Sequence, residues 1–356
     1  MKFESLLTKN GKEKDFTTDV GFDTISITTS TDCSEYVGND LPIKSCFRNG
    51  RTGKFSIKVD LEKFDSSCSE SLAHFSEAFN KLITDYGLED VEVTRCDLRF
   101  DFRGIPYCNL LSEATALSSC LGLTMNADNN YMTCSLFGTT ALSVAVKTSA
   151  YEEEYYAKSK ADHNSDVDGR MELRRMRKHY APTVESLSDL YFDFADTLIK
   201  ATTDENFRKT CKKHNDAMIR SLENGDYILT DSRSRGVFFE HNAYRILSKE
   251  QFAELCEKMG YENPHDAVRK MLKPKKVDPS VYGRIQLKVD PDETYSPFHV
   301  TTAEELRDFT RFLLSIAMEF FFGGWEPDKA VSDKFDKYKE WLDQSLKAYT
   351  YSYIIK

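Results

Sequence analysis

Two short stretches hold the residues best suited to chemistry. Val91–Tyr107 reads VEVTRCDLRFDFRGIPY, and Gly169–His179 reads GRMELRRMRKH. Both alternate as strands do. In the first, Asp97, Arg99, Asp101 and Arg103 share a face opposite Leu98, Phe100 and Phe102, and Arg95 precedes them on the polar side. In the second, Glu172 stands between Arg170 and Arg174. Carboxylates are hard oxygen donors suited to Mg²⁺ or Mn²⁺, and guanidinium groups match phosphate oxygens. Asp97 and Asp101 are separated by roughly 13 Å of strand rise, so they share one ion only if a bulge or another segment intervenes. The plain alternative is a solvated, salt-bridged strand face. The two stretches are expected to be neighbours in one sheet, bringing Asp97 or Asp101 close to Glu172.

The pattern Thr94-Arg95-x-Asp97-Leu98-x-x-Asp101, with Arg170-x-Glu172-x-Arg174 following about 70 residues later, resembles the replication initiation factor proteins. That group contains rolling-circle plasmid initiators, gene II-type proteins of filamentous phages and related relaxases. The resemblance covers residues 20–205 and lies in order and spacing. It implies a DNA-nicking enzyme in which a tyrosine attacks phosphorus, leaving a 5′-phosphotyrosine and a free 3′-OH, with a bound Mg²⁺ or Mn²⁺ polarising the phosphate. It carries Asp97, Asp101 and Glu172 over as metal ligands, and Arg95, Arg170 and Arg174 as phosphate contacts. The gene II-type members place the nucleophile in Tyr-x-Lys, which Tyr156-Ala157-Lys158 spells. The plasmid-type arrangement points instead to Tyr180. If Ser143–Thr148 is the counterpart strand, Ala145 occupies the tyrosine position beside Lys147, and the chain is a non-catalytic DNA-binding protein.

Composition limits the alternatives. The 356 residues carry a net charge of −10, which disfavours a protein that coats nucleic acid non-specifically. Basic residues are instead focused. Arg170, Arg174, Arg175, Arg177 and Lys178 against Glu172 give +4 over residues 170–179, a DNA-binding run. Met1–Asp15 has no apolar signal region. Phe312–Phe322 is too short to span a bilayer and contains Glu319. These features predict a cytoplasmic protein without a membrane partner. Nine scattered cysteines, with no CxxC pair, argue against structural zinc and a disulfide framework. There is no HxH pair, GxxxxGK[ST] loop, GxGxxG or GxSxG, so any unwinding of an origin would fall to a host helicase.

The elements that must position these residues can also be read. Residues 20–30 and 54–64 read as strands, and 31–53 as a loop. Ser69–Tyr86 has helical apolar spacing closed by Gly87. A second strand set follows a helix opening at Pro106. Within that set, Tyr151–Lys160 reads as an acidic helix. A helix from Pro182 to Ala201 follows the Glu172 strand. The expected fold is α+β, a ferredoxin- or RRM-like antiparallel sheet built from two βαβ-type halves. The division falls at residue 205: a nicking and DNA-binding domain over 1–205, and a mainly helical domain over 206–356 that binds DNA or dimerises. In the second, Asp226–Asn242 reads as extended, while Ser248–Met259 and Thr302–Phe322 carry capping boxes. The expected partner is an origin presented as a hairpin or single strand.

Overall fold

A computed structural model of the chain describes residues 17–38, 41–63, 70–105, 110–128, 135–139, 151–156, 165–242, 245–273, 275–276, 294–295 and 300–346. Its centre is an eight-stranded antiparallel sheet. The strands are β1 (Thr17–Thr29), β2 (Ile43–Arg48), β3 (Phe55–Asp60), β4 (Glu92–Arg103), β5 (Thr124–Asp128), β6 (Ser135–Thr139), β7 (Tyr151–Tyr156) and β8 (Gly169–Tyr180). Their order across the sheet is β2-β3-β1-β4-β8-β7-β6-β5. The predicted α+β plan is therefore present. Between β3 and β4 runs α1 (Leu72–Asp85); between β4 and β5 runs α2 (Leu111–Cys120); after β8 runs α3 (Val184–Ala201). The four strands β5 to β8 form a meander, each paired with the next.

Two-residue alternation sorts the side chains. Cys96, Leu98, Phe100 and Phe102 of β4, with Met171 and Leu173 of β8, are buried toward the helices. Ile25 and Ile27 of β1 and Ile57 and Val59 of β3 continue that face. Ser71 and Thr183 cap α1 and α3 by accepting hydrogen bonds from the backbone N–H of His74 and Ser186.

The remaining helices are α4 (Asp204–Glu223), α5 (Ser232–His241), α6 (Lys249–Lys258), α7 (Pro264–Met271), α8 (Ala303–Phe322) and α9 (Lys329–Leu346), and a short ladder pairs β9 (Lys275–Lys276) with β10 (Thr294–Tyr295). Packing runs across residue 205. Phe320 and Phe321 of α8 meet Phe22 of β1 edge-on, with ring centroids 5.3 and 6.1 Å apart. Helices α8 and α9 thus share the core of the sheet. A second, smaller core joins Met218 to α5, α6 and α7 through Phe238, Phe239, Phe252, Leu255 and Val268. Both expected capping boxes are formed, at Ser248/Gln251 and Thr302/Glu305. Among the described residues no helix is long and apolar enough to cross a membrane, and the six described cysteines are free.

Three elements differ from the sequence expectations. Residues 43–48 form an edge strand within the segment read as loop, because β3 supplies the hydrogen-bond ladder. Tyr151–Tyr156 is a strand and not a helix: β6 and β8 flank it, and pairing on both edges overrides the helical preference of its three glutamates. Ser232–His241 is helical, started by Asp231, whose carboxylate accepts the Ser234 N–H at 2.8 Å, and anchored by buried Phe238. The counterpart strand considered at Ser143–Thr148, and the start of the Pro106 helix, lie outside the described residues.

Strand β7 places Glu153 on the helix side, only 1% exposed. Ser118 Oγ donates to Glu153 Oε2 at 2.5 Å, while Oε1 has no hydrogen-bond partner among the described residues. Burial pushes the carboxyl up to about 8. A folded-state pKa above the unfolded value stabilises the protein below the unfolded pKa, and that stability is lost as pH rises through the folded one. Urea unfolding should show the wild-type chain losing on the order of 3 kcal/mol more than Glu153→Gln between pH 5.5 and 8.5. Parallel pH dependence in the two proteins would exclude a proton on Glu153.

Candidate active site

The sheet face opposite the helices carries the chemistry, and register arranges it in rows. Across β1, β4, β8 and β7 the first row is Asp19, Asp101, Arg170 and Tyr156. The second is Gly21, Arg99, Glu172 and Glu154, and the third is Thr24, Asp97, Arg174 and Glu152. The expected pairing of the Asp97 strand with the Glu172 strand is present, with Glu172 opposite Arg99 and so between the two aspartates.

Guanidinium groups join the rows. Arg170 donates from Nε and Nη2 to both oxygens of Asp101, at 2.6 and 3.0 Å, and from Nη1 to Asp23 Oδ1 at 2.7 Å. Arg174 donates from Nη2 to Glu172 Oε2 at 2.9 Å and to Glu154, and its Nε lies 3.2 Å from Asp97 Oδ2. Arg95 holds Asp97 bidentately at 2.8 and 2.5 Å. Arg99 stands 3.7 Å from Asp101. Asp97, Asp101, Arg170 and Glu172 are all buried. Such burial is tolerated only because each charge has a close, hydrogen-bonded partner.

Tyr156 belongs to this cluster. Its hydroxyl donates to Glu172 Oε1 at 2.9 Å. Burial, then the charge of Glu172, raises its pKa, so the phenol rests protonated. Burial also raises Glu172, with the charge of Asp23 adding to it and Arg174 opposing. Glu154 is pushed up to about 7, by burial first, with Arg174 opposing and Glu172 reinforcing. Two carboxyls opposite one another on adjacent strands thus hold protons more tightly than ordinary glutamates.

Tyr180 sits elsewhere. It lies eight residues from Glu172 along β8, roughly 26 Å by strand rise. Its hydroxyl donates to Asp193 of α3, which also accepts from Lys178 at 2.6 Å. It cannot act on the same phosphate as Glu172. The basic run does not form one stripe. Arg174 faces the carboxylate cluster, Arg175 lies 4.0 Å from Asp193, and His179 meets Glu92 at 2.9 Å. A register irregularity between Val93 and Arg95 turns the end of β8 toward α3. Lys158, Ala145 and Lys147 lie outside the described residues, as does the Arg177 side chain.

The expected metal set does not assemble. Among the described residues no three His, Cys, Asp or Glu side chains come together to hold a metal ion. Arg95 and Arg174 occupy Asp97, Arg170 occupies Asp101, and Arg174 and Tyr156 occupy Glu172. The cationic positions between these carboxylates are filled by guanidinium, so the donor set does not fit Mg²⁺ or Mn²⁺.

Two participants escaped the sequence reading. Asp23 reaches Arg170 because β1 bulges between Phe22 and Thr24, placing two consecutive residues on the polar face. The break of alternation in Gly21-Phe22-Asp23-Thr24-Ile25 is its only trace in sequence. Glu154 was hidden by the helical reading of β7; its place two residues before Tyr156 puts both on one strand face.

No family model and no curated protein matches the chain. Among solved structures it is similar to a rolling circle replication initiator protein from Geobacillus stearothermophilus, with 11% identity over 49% of this chain and 85% of that one, at a TM-score of 0.26. A superposition that loose bears on neither activity nor residue roles.

The cluster makes a direct stability prediction. Arg170→Met leaves buried Asp101 without its hydrogen-bonded guanidinium, with only Arg99 at 3.7 Å, and should cost about 3–5 kcal/mol in urea unfolding. Arg170→Met with Asp101→Leu should regain most of that loss. A single variant within 1 kcal/mol of wild type would mean that solvent reaches Asp101.

Proposed function

We propose that the chain nicks and rejoins one strand of DNA through Tyr156, as a rolling-circle initiator does at an origin. The observation that carries this reading is the hydrogen bond from the Tyr156 hydroxyl to Glu172, on a sheet face with Arg170 and Arg174 beside it. A phenol is a poor nucleophile while protonated and needs a base within hydrogen-bond reach; Glu172 is at that distance. In the proposed step Tyr156 Oη bonds to phosphorus while its proton passes to Glu172. The bond from phosphorus to the 3′-oxygen breaks, and its electron pair leaves on that oxygen. Glu154, poised near neutral pH, returns a proton to it. Arg170 and Arg174 stabilise the charge that builds on the phosphoryl oxygens. The products are a 5′-phosphotyrosine and a 3′-OH, and reversal rejoins the strand.

A second reading has one observation in its favour. Asp23, Asp97, Asp101, Glu154 and Glu172 each already hold an arginine, so a phosphate must displace a carboxylate to reach Arg170 or Arg174. A protein that only binds DNA would need no such exchange.

The test uses a supercoiled plasmid carrying the DNA that flanks this gene. The wild-type chain should relax it and remain attached through a covalent bond that survives denaturation. Tyr156→Phe should abolish the adduct and leave non-covalent binding unchanged, and Glu172→Gln should slow adduct formation by about 10²-fold or more. Tyr180→Phe should retain it. An adduct that persists in Tyr156→Phe and disappears in Tyr180→Phe would refute the assignment. Binding without any adduct supports the second reading.

A further inference from the structure

We infer that the β2–β3 hairpin is a binding platform for single-stranded nucleic acid, on the same sheet face as Tyr156. This deepens the proposed function and rests on it for the identity of the strand. Residues 43–59 contain Lys44, Arg48, Arg51, Lys54 and Lys58, five positive charges, and no carboxylate, in a chain whose net charge is −10. Lys44, Arg48 and Arg51 are exposed. Lys54 reaches toward Glu92 at 3.8 Å, and that surface contact is weak.

Among the positive charges stands Phe47, 69% exposed. An aromatic ring left in water on a strand loses the burial that ordinarily favours it. Register places it. Phe47 pairs with Ser56 and Ser45 with Lys58; Lys58 and Ser56 pair with Ser26 and Thr28; Ser26 and Thr28 pair with Arg95 and Glu92. Phe47 and Lys58 therefore project from the face that carries Arg95, the Asp97 cluster and Tyr156. Arg48 pairs with Phe55 and belongs to the reverse face, its guanidinium 6.0 Å from that ring. Five strand spacings separate β2 from β7, roughly 24 Å.

An exposed ring that shares its sheet face with Lys58 and Arg95 fits the chemistry of an unpaired strand. Bases stack on the ring irrespective of sequence, and the cations take phosphates. A duplex hides its base faces and gives Phe47 nothing to stack on. The extended strand would run from Phe47 across Lys58 and Arg95 toward Tyr156.

The experiment measures binding of fluorescent dT20 to the full chain carrying Tyr156→Phe, which cannot react. Phe47→Ala should weaken binding about tenfold with the salt slope unchanged. Lys58→Ala should reduce the slope of log K against log salt by about 0.7. Arg48→Ala, on the reverse face, should alter the slope less. Melting temperature checks that each variant is folded; Phe47→Leu, which keeps an apolar side chain without a stacking face, should also bind poorly. Folded Phe47→Ala and Lys58→Ala proteins that bind dT20 like the parent would overturn the platform, even if the wild-type chain forms its adduct. Loss of dT20 binding in those variants, with no adduct from the wild-type chain on flanking DNA, would uphold the platform and refute strand nicking. Equal weakening of double-stranded DNA by Phe47→Ala would also count against it.

Discussion

The structure depends on the way Arg174 resolves a conflict of charge. Register sets Glu172 directly opposite Glu154, and like charges facing across strands repel. Burial sharpens the repulsion. One guanidinium, hydrogen-bonded to both carboxylates and close to Asp97, offsets it. Arg170 does the same one row away for Asp101 and Asp23. Buried ion pairs of this kind are weak evidence for stability, since an apolar pair of similar volume often does as well. They are strong constraints on register: a slip of one residue would move every charge to the helix face and every core side chain to the polar face.

That constraint is matched on the other side of the sheet. Leu98, Phe100, Met171 and Leu173 are buried beneath the same strands that carry Asp97, Asp101 and Glu172. Phe22 adjoins the bulge that delivers Asp23, and it is held edge-on by Phe75 and Phe320 at 4.9 and 5.3 Å. Helix α8, distant in sequence, therefore anchors the strand that completes the Arg170 contacts. A chain cut near residue 205 would lose Phe320 and Phe321 from around Phe22, leaving Phe75, and expose part of the sheet's core face.

The same strand performs two tasks in β7. Glu154 and Tyr156 face the cluster, while Glu153 and Tyr155 face the helices. Gly169 of β8 makes room for Tyr155: a Cβ there would meet the Tyr155 hydroxyl at 3.3 Å. A core residue thus packs against the backbone of β8 beside the row that carries Tyr156. The protons held by Glu153 at about 8 and Glu154 at about 7 have one cause in common, burial. Only Glu154 has an arginine to oppose it.

Much of this was legible in the residues alone. Alternation marked β4 and β8, capping boxes marked α6 and α8, and the placement of Asp97, Asp101 and Glu172 among arginines marked the polar face. Those signals are local, and local periodicity survives in the folded chain. Three features were decided by tertiary contacts. Tyr151–Tyr156 has the composition of a helix and became a strand because β6 and β8 offered hydrogen bonds on both edges. Asp23 joined the cluster through a bulge that no residue preference announces. The carboxylates that spacing suggested for a metal ion were taken by Arg95, Arg170 and Arg174. Spacing along a strand says which side chains share a face, whereas the partner each charge selects depends on the register of neighbouring strands and on how little water reaches it.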